Sequence, residues 1–433
     1  MLDIKLIRSE PDRVKELLAR RKEDPSQIDE LIELDEERRR RQTEMEKIKA
    51  EQNKIGPQIA QTKRTGGDAA SLLAQSTALK TSFQDLEDTV RELNVRQEAL
   101  LAKLPNLPHE SVIAGGEEAA VVLHPAKQEP RVFDFVPLAH WDMPVGKELF
   151  DFERGAKLAG SGFVLYRGLG ARLERALIAF MIDLHTEKHG YTELSVPYVL
   201  NRESITASGH IVKFLPEMYR DDESDLFFVP TAEPALVNVH RGEDLDAGTL
   251  PLKYVAYTPC WRREAGAAGK DTRGLQRIHQ FDKVELFRYV PSETSYEALE
   301  EMTREACAVL ESLELPYRIL KLAAGDMSFA AAMTYDIEAW APGMNKWLEV
   351  SSASNCTDFQ ARRASIRFRP EAGAKLEFPH LLNASGLALP RVVAAMLENH
   401  QQADGSVIIP SALRPYLGGM QSLQSSARVV RGQ

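Results

Sequence analysis

Two stretches in the first quarter of the chain repeat apolar positions in alternating steps of four and three residues. The first repeat runs through Leu34, Arg38, Arg41, Met45, Ile48, Gln52, Ile55 and Ile59, and the second through Leu72, Ser76, Leu79, Phe83, Leu86, Val90, Leu93, Gln97, Leu100 and Leu104. Such spacing is the heptad pattern of a coiled coil. Because Gly66-Gly67-Asp68 lies between the repeats, we predict two antiparallel helices that form an arm over about residues 27–104.

The heptad pattern alone does not assign a function to this arm. A two-helix hairpin roughly 50 Å long buries little besides its own seam, so it could be a dimerisation coiled coil, a spacer or a probe for a distant part of a large partner. The basic run at residues 38–41 is flanked by acidic residues, so charge alone does not indicate RNA binding. Gly56-Pro57 is expected to interrupt the first helix near its tip.

Beyond residue 130 the pattern changes to short β-rich runs among amphipathic helices, such as residues 254–257 and 347–351. Strands that follow strands predict an antiparallel sheet flanked by helices, so the fold class is α+β with an N-terminal helical arm. The predicted divisions are an N-terminal domain at 1–108, a linker at 109–130, a main domain at 131–420 and a disordered tail at 421–433.

Composition restricts the class of protein. With 43% hydrophobic and 27% charged residues, the 433-residue chain reads as a soluble protein of two or more domains. No apolar run approaches the roughly 18 residues of a membrane helix, and the first residues lack the apolar core of a signal peptide. Three cysteines far apart predict neither a disulfide framework nor a thiolate metal site, so we expect a cytoplasmic protein.

Residues 260–285 carry the densest candidate chemistry. Two short apolar runs joined by a Gly-rich loop present arginines, a phenylalanine and two glutamates, a set that predicts an antiparallel hairpin gripping a nucleotide triphosphate together with a small cationic substrate. Guanidinium forks suit phosphate oxygens, and alternation along a strand places Phe281, Lys283 and Glu285 on one face. Walker A and dinucleotide-binding patterns are incomplete, because Glu264 and Asp271 stand at positions where a Walker A loop needs Gly and Ser or Thr.

This segment resembles motif 2 of class II aminoacyl-tRNA synthetases, and its residues are most similar to those of the bacterial-type seryl-tRNA synthetase family. Residues 172–197 resemble motif 1, the dimer interface of that class, and residues 383–391 resemble motif 3. The resemblance covers nearly the whole chain to about Met420. It implies a ligase that activates L-serine with ATP and Mg²⁺ to seryl-adenylate and transfers the seryl group to tRNA(Ser), with tRNA(Sec) as a second candidate acceptor. It further implies a homodimer whose helical arm binds the tRNA.

The resemblance also implies roles for individual residues. Arg262 and Arg391 are the expected catalytic residues. ATP-binding residues would be Arg262, Arg263, Glu264, Arg277, Phe281, Glu349, Val350, Ser351, Ser352 and Arg391. Serine-binding residues would be Thr231, Ala232, Glu233, Arg262, Glu285, Asn383 and Ser385. Glu349 and Ser352, which offer a carboxylate and a hydroxyl, would hold the metal.

Two positions depart from the family pattern, because Arg263 replaces a small serine and Pro390 replaces a common glycine. If the strand alternates, the Arg263 side chain should point away from the nucleotide. Two other functions stay open. One is a serine-activating paralogue that serves biosynthesis or antibiotic resistance, and the other is a non-catalytic coiled-coil binding protein. His185 and His189, four residues apart, could share a metal, although packing is the expected role.

Overall fold

A computed structural model describes residues 1–124, 129–265 and 273–425. The chain divides into two compact units, Met1–Pro105 and Asn106–Gln433. None of the helices in those described ranges combines the length and apolar character that crossing a bilayer requires.

The first unit is entirely helical in its described secondary structure. Its helices are α1 (Ile4–Ser9), α2 (Pro11–Arg20), α3 (Gln27–Arg64) and α4 (Ala70–Lys103). Every heptad position predicted from the sequence is buried or half-buried on α3 and α4, except that Leu104 is the buried residue that caps α4. The predicted antiparallel coiled-coil arm is therefore confirmed. The expected interruption at Gly56-Pro57 is wrong, since α3 continues through Pro57.

The base of this arm holds a buried polar cluster. The Asp35 carboxylate, which is 2% exposed, accepts hydrogen bonds from Arg8 Nε at 2.8 Å, Arg38 Nη2 at 3.1 Å and Gln97 Nε2 at 3.2 Å. These donors come from α1, α3 and α4, so one carboxylate joins three helices. A buried carboxylate with several donors can fix the register of a helix pair, because a shifted pairing would leave it unsatisfied.

The second unit is a mainly antiparallel sheet flanked by helices, which confirms the predicted α+β class. Its helices are α5 (Pro144–Leu149), α6 (Phe152–Ala159), α7 (Leu169–Lys188), α8 (Arg202–Ser208), α9 (His210–Lys213), α10 (Glu233–Val237), α11 (Ser295–Ser312), α12 (Phe359–Arg363) and α13 (Leu389–His400). Its strands are β1 (Val121–His124), β2 (Phe150–Asp151), β3 (Leu165–Tyr166), β4 (Thr192–Glu193), β5 (Val199–Asn201), β6 (Arg220–Asp221), β7 (Leu226–Phe228), β8 (Asp244–Leu245), β9 (Leu252–Trp261), β10 (Gln280–Val290), β11 (Tyr317–Lys321), β12 (Met333–Ala341), β13 (Lys346–Asn355), β14 (Arg367–Phe368), β15 (His380–Ala388), β16 (Val407–Ile408) and β17 (Ser422–Leu423).

The main sheet has the strand order β1-β11-β12-β13-β15-β10-β9-β4 in the described residues. All neighbours are antiparallel except β4 and β9, which are parallel. Helices α7, α11 and α13 contribute buried residues to the large apolar core on this sheet. That core makes a rigid support for the polar side chains that the central strands carry.

Two predicted boundaries differ from the structure. Residues 121–124 of the expected linker form β1, which pairs with β11 at the edge of the main sheet. Residues 421–425 of the expected tail are not disordered, because β17 pairs with β16 and Leu423 is 1% exposed. The remainder of the predicted tail, 426–433, lies outside the described residues.

Candidate active site

The predicted hairpin is formed by β9 and β10. The two strands pair in register from Trp261 opposite Gln280 to Leu252 opposite Tyr289. Strand alternation brings Lys283 Nζ within 2.5 Å of Glu285 Oε2, as expected for residues on one face. The predicted loop residues 266–272, which include Gly269 and Lys270, lie outside the described residues.

A cavity of about 210 Å³ opens where this hairpin meets β13, β15 and the first turn of α13. Motif 2 residues and motif 3 residues, more than 100 positions apart in the chain, line it together. The lining residues are Arg262, Glu264, Leu275, Gln276, Arg277, Ile278, Phe281, Lys283, Glu349, Val350, Ser351, Ser385, Ala388, Pro390 and Arg391. The structure thus gathers most of the predicted nucleotide-binding residues around one space.

Two guanidinium groups, those of Arg262 and Arg391, line this cavity. The Arg262 guanidinium sits 5.2 Å from the centre of the Phe281 ring, and its Nε donates to the Pro230 carbonyl at 3.2 Å. Arg391 Nη1 donates to the Glu349 carbonyl at 2.7 Å and lies 3.4 Å from the Glu349 carboxylate. Fixed guanidinium groups beside an aromatic ring can bind phosphate oxygens and a planar base at the same time.

A third guanidinium, that of Arg277, also lines this cavity. Arg277 Nη1 donates to Glu264 Oε2 at 2.9 Å. Glu264 has φ of +50°, a left-handed conformation that is uncommon for residues other than glycine. Such a backbone turn at the end of β9 directs this carboxylate toward the cavity rather than along the strand. A carboxylate at this position can accept a hydrogen bond from an exocyclic amine.

A cluster of buried polar side chains, Thr231, Lys283 and Glu285, could bind a small substrate that carries a hydroxyl. Thr231 Oγ1 donates to Glu285 Oε2 at 3.1 Å, and Lys283 forms an ion pair with the same carboxylate. Burial raises the pKa of the Glu285 carboxyl, and the Lys283 ammonium opposes that rise. Ser385 stands directly opposite Glu285 on β15. Several hydrogen-bonding groups therefore converge within a few ångströms.

The predicted metal-binding pair, Glu349 and Ser352, lies on β13 next to the nucleotide cavity. A register shift opposite Ile337 and Glu338 interrupts β13 between Glu349 and Ser351. Residues three apart would face opposite sides of a regular strand, and the extra residue at this bulge lets Glu349 and Ser352 face the same way. Both line a larger neighbouring cavity of about 740 Å³, which shares Arg277 and Arg391 with the first.

The donor set at this position fits a hard cation. A carboxylate and a hydroxyl are oxygen ligands of the kind that Mg²⁺ prefers, with its other ligands taken from waters and substrate phosphates. Within the described ranges no group of three or more His, Cys, Asp and Glu side chains could hold a metal. His185 and His189 place their Nδ1 atoms 2.9 Å apart and belong to no such group.

Several predicted site residues do not line the nucleotide cavity. Arg263, two residues beyond the end of β9, is exposed, and its backbone N–H donates to the Glu217 carbonyl at 2.8 Å. Ala232 is fully buried in an apolar cluster. Asn383 is buried on β15, where its Nδ2 lies 3.5 Å from Cys356 Sγ. Arg263, Ala232 and Asn383 are therefore not among the residues that line the nucleotide cavity.

Sequence reasoning missed some residues at the site. Lys283 lines the cavity. The sequence showed that it alternates with Phe281 and Glu285, but this pattern alone did not assign a function to Lys283. The buried Gln276 accepts a hydrogen bond from Arg391 Nε at 3.3 Å through its carbonyl. Asp336, a half-buried residue of β12, stands directly opposite Ser352 of β13. Nothing in the spacing of Gln276 or Asp336 signals these positions.

Comparisons with known proteins agree along the whole chain. A family model described as "Seryl-tRNA synthetase N-terminal domain" matches residues 1–108, and one described as "tRNA synthetase class II core domain (G, H, P, S and T)" matches residues 214–400. A curated serine–tRNA ligase from Roseiflexus sp. (strain RS-1) is 48% identical over 98% of this chain and 100% of its own length. One from Thermotoga neapolitana is 49% identical over 96% of this chain and 99% of its own length.

Solved structures give the same result. The crystal structure of seryl-tRNA synthetase from Pyrococcus horikoshii complexed with ATP superposes with a TM-score of 0.92 at 38% identity, covering 98% of this chain and 100% of that one. A cytoplasmic serine–tRNA ligase from Naegleria fowleri in complex with AMP superposes with a TM-score of 0.88 at 30% identity, covering 98% and 99%.

Proposed function

The chain belongs to the seryl-tRNA synthetase family, class II ligases that join serine to tRNA at the expense of ATP, and from that premise we propose how its residues divide the work. In the first step a serine carboxylate oxygen attacks the α-phosphorus of ATP in line, the bond to the β-phosphate oxygen breaks, and pyrophosphate leaves. In the second, a terminal ribose hydroxyl of tRNA attacks the acyl carbon and AMP leaves. Neither step needs a protein nucleophile, so positioning and charge neutralisation carry the catalysis.

The nucleotide is assigned to the cavity of about 210 Å³. Phe281 stacks on adenine, Glu264 accepts from the adenine amino group, and Arg262 binds the α-phosphate together with the serine carboxylate. Arg277 and Arg391 neutralise the outer phosphates. The contact of 2.9 Å between Arg277 and Glu264 supports a bent nucleotide, because it places a phosphate-binding group beside the group that reads the base.

The serine side chain is assigned to the cluster of Thr231, Lys283 and Glu285. Glu285 accepts from the serine hydroxyl, with Ser385 opposite it, while Thr231 and Lys283 hold the Glu285 carboxylate. Glu233 accepts from the serine ammonium. A buried site built around one hydroxyl can reject an analogue that lacks it by about 10⁴-fold, because its polar groups would then stay unpaired. Alanine is therefore rejected because it lacks the hydroxyl.

Glu349 and Ser352 would hold Mg²⁺. When bound, the ion would supply charge neutralisation for the departing pyrophosphate. The two oxygen donors meet on one face only because of the bulge in β13, and this local irregularity supports their joint use. Arg391, 3.4 Å from the Glu349 carboxylate, keeps that carboxylate oriented toward the shared cavity.

The helical arm, α3 and α4, would bind tRNA(Ser), with tRNA(Sec) as a second candidate. The motif 1 region near residues 172–197 would form the interface of a homodimer. Support for the arm comes from its length of 38 and 34 residues, which exceeds what a small helical domain requires. The family model of the seryl-tRNA synthetase N-terminal domain spans both helices. A long arm of this kind favours tRNA over a carrier protein as the acceptor.

The observation that carries the proposal is the convergence of Arg262, Phe281 and Arg391, from two separate stretches of chain, on one cavity. The test is ATP–pyrophosphate exchange with each of the standard amino acids, followed by charging of tRNA(Ser). We expect exchange only with serine and stable seryl-tRNA. Exchange that does not depend on serine, or serine activation without any tRNA charging, would reject the assignment and favour an activating paralogue.

A further inference from the structure

The carboxylate of Glu233, the first residue of α10, is held from two sides by residues outside the motifs. Gln360 Nε2, from α12, donates to Glu233 Oε1 at 2.7 Å. His210 Nε2, from the start of α9, lies 3.6 Å from Glu233 Oε2. Each carboxylate oxygen therefore has its own neighbour, and the two neighbours come from segments 150 positions apart.

Gln360 is itself fixed in place. Its side chain is fully buried, and the same Nε2 that contacts Glu233 also donates to the Ser208 carbonyl at 3.1 Å. Both hydrogens of the amide are thus in use, which also fixes which end of the amide is the donor. A buried side chain with two good hydrogen bonds has little rotational freedom, so it holds Glu233 in one orientation.

His210 is held just as firmly from the other side. Its Nδ1 lies 3.0 Å from Ser208 Oγ, and its ring packs edge-on against Phe214 at 5.8 Å. Gly209 precedes it with φ of +87°, a conformation that a residue with a side chain rarely adopts. Burial, followed by the charges of Arg262 and Lys283, lowers the pKa of His210 to about 3. A neutral ring 3.6 Å from the Glu233 carboxylate limits its movement on that side without cancelling its charge.

The negative charge of Glu233 therefore stays available to pair with a substrate cation. In the ranges that the structure describes, the ion pairs include no lysine or arginine within 4.0 Å of the Glu233 carboxylate. Burial raises the pKa of this carboxyl, while Gln360, Lys283 and Arg262 oppose the rise. A half-buried carboxylate that accepts from a neutral donor, Gln360, and lies beside a neutral imidazole suits a substrate cation, because that cation gains a partner without displacing a protein cation.

We propose that Gln360 and His210 are positioning residues that orient the Glu233 carboxylate toward the α-ammonium of the amino-acid substrate. With Glu233 held in this orientation, the amino-acid substrate binds tightly only when it carries an α-ammonium group. This inference rests on the proposed function, since it assigns the ammonium to Glu233. It adds two residues that touch neither nucleotide nor substrate and act only through Glu233.

The test replaces Gln360 by methionine, which keeps length and volume but removes both donors. In serine-dependent exchange by the full-length protein, Gln360→Met should raise the KM for serine about tenfold and leave the KM for ATP within about twofold. The loss corresponds to one hydrogen bond to a charged group. His210→Gln should raise the KM for serine about threefold, again without effect on ATP.

A matched control is Gln401→Met, the same chemical change at a buried glutamine whose Nε2 donates to the carbonyls of Leu138 and Glu398. This variant should lose thermal stability while its KM for serine stays unchanged. If Gln360→Met raises the KM for serine and the KM for ATP together, or leaves both unchanged, Gln360 has only a structural role and the proposal is wrong.

A double substitution separates action through Glu233 from a direct effect. In a Glu233→Gln background, Gln360→Met should change the KM for serine by less than twofold, because the charge that Gln360 orients is gone. A tenfold effect that persists in that background overturns the proposal. Should Gln360→Met fail to fold, His210→Gln decides by the same cycle. Absence of serine-dependent exchange in the unmodified protein would instead reject the proposed function itself.

Discussion

At the scale of single residues, the neighbours Arg262 and Arg263 give the sharpest contrast. Arg262 lines the nucleotide cavity beside Phe281, whereas Arg263 is exposed. Arg262→Ala should reduce serine-dependent exchange about 10- to 100-fold, since a hydrogen bond to a charged group contributes roughly 1.5–3 kcal/mol. Arg263→Ala is the matched control and should stay within about twofold. Equal losses in both variants would show that charge near the hairpin, rather than position, matters.

Glu285 makes a second residue-scale prediction. Glu285→Ala should abolish detectable serine activation while calorimetry shows ATP bound within about threefold of the unmodified affinity, because Glu285 contacts only the serine pocket in our account. The change also leaves the buried Lys283 ammonium without its 2.5 Å partner, which should destabilise the fold by about 3–5 kcal/mol. Thermal unfolding must therefore accompany the assay. Serine activation that survives the substitution would remove Glu285 from the pocket.

What the sequence could predict at this scale depends on local pattern. Phe281, Lys283 and Glu285 share a face because strand alternation is a local rule. The same rule predicted that Arg263 points away from the nucleotide, and Arg263 is exposed although it lies beyond the end of β9. Gln360, which holds Glu233 across 127 positions of sequence, could not be predicted, since only the folded chain brings α12 to α10.

At the scale of elements, regular repeats were predictable and short pairings were not. The heptads of α3 and α4 extend over many turns, so each position supports the others. Strands β1 and β17 have four and two residues and exist only because distant partners, β11 and β16, complete their hydrogen bonds. Local sequence therefore assigned them to a linker and a tail. Pro57 stays within α3 because its neighbours near the arm tip are exposed and water can satisfy the lost bond.

An ion cluster that joins β10 to α11 predicts how stability depends on pH. Glu301 accepts from Arg288 Nη1 at 2.7 Å and Lys253 Nζ at 3.0 Å. The Arg288 hydrogen bond, against burial and with help from Lys253, lowers the pKa of Glu301 from 4.5 to about 2. A lowered carboxyl pKa stabilises the fold above pH 4.5, and that contribution is lost as the pH falls toward 2.

Denaturant unfolding of the unmodified protein and of Glu301→Gln should show this dependence. Since the Glu301 side chain is 46% exposed, solvent screening limits the advantage of the unmodified protein to about 1 kcal/mol at neutral pH. That advantage should shrink below pH 4.5. Glu297→Gln, a change at an exposed glutamate on the same helix, should show no such trend. A Glu301→Gln difference that stays constant from pH 7 to pH 3 would contradict the cluster's role.

At the scale of the whole molecule, activation and tRNA recognition are assigned to different units. Deletion of residues 27–104 should leave serine-dependent exchange within about threefold, because the cavity residues all lie in the second unit. Charging of tRNA(Ser) should fall at least about 100-fold. Circular dichroism and exchange activity together show that the second unit has folded. Equal charging by the shortened protein would overturn the role given to the arm.

The central claim is that one nucleotide triphosphate lies across the sheet, held by guanidinium groups from two distant stretches of chain. A crystal structure with a non-hydrolysable ATP analogue and Mg²⁺ tests it most directly. We predict the Phe281 ring stacked on adenine, Arg262 on the α-phosphate and Arg391 on an outer phosphate of the same molecule. A nucleotide bound with any of these three side chains turned away from it would contradict the account.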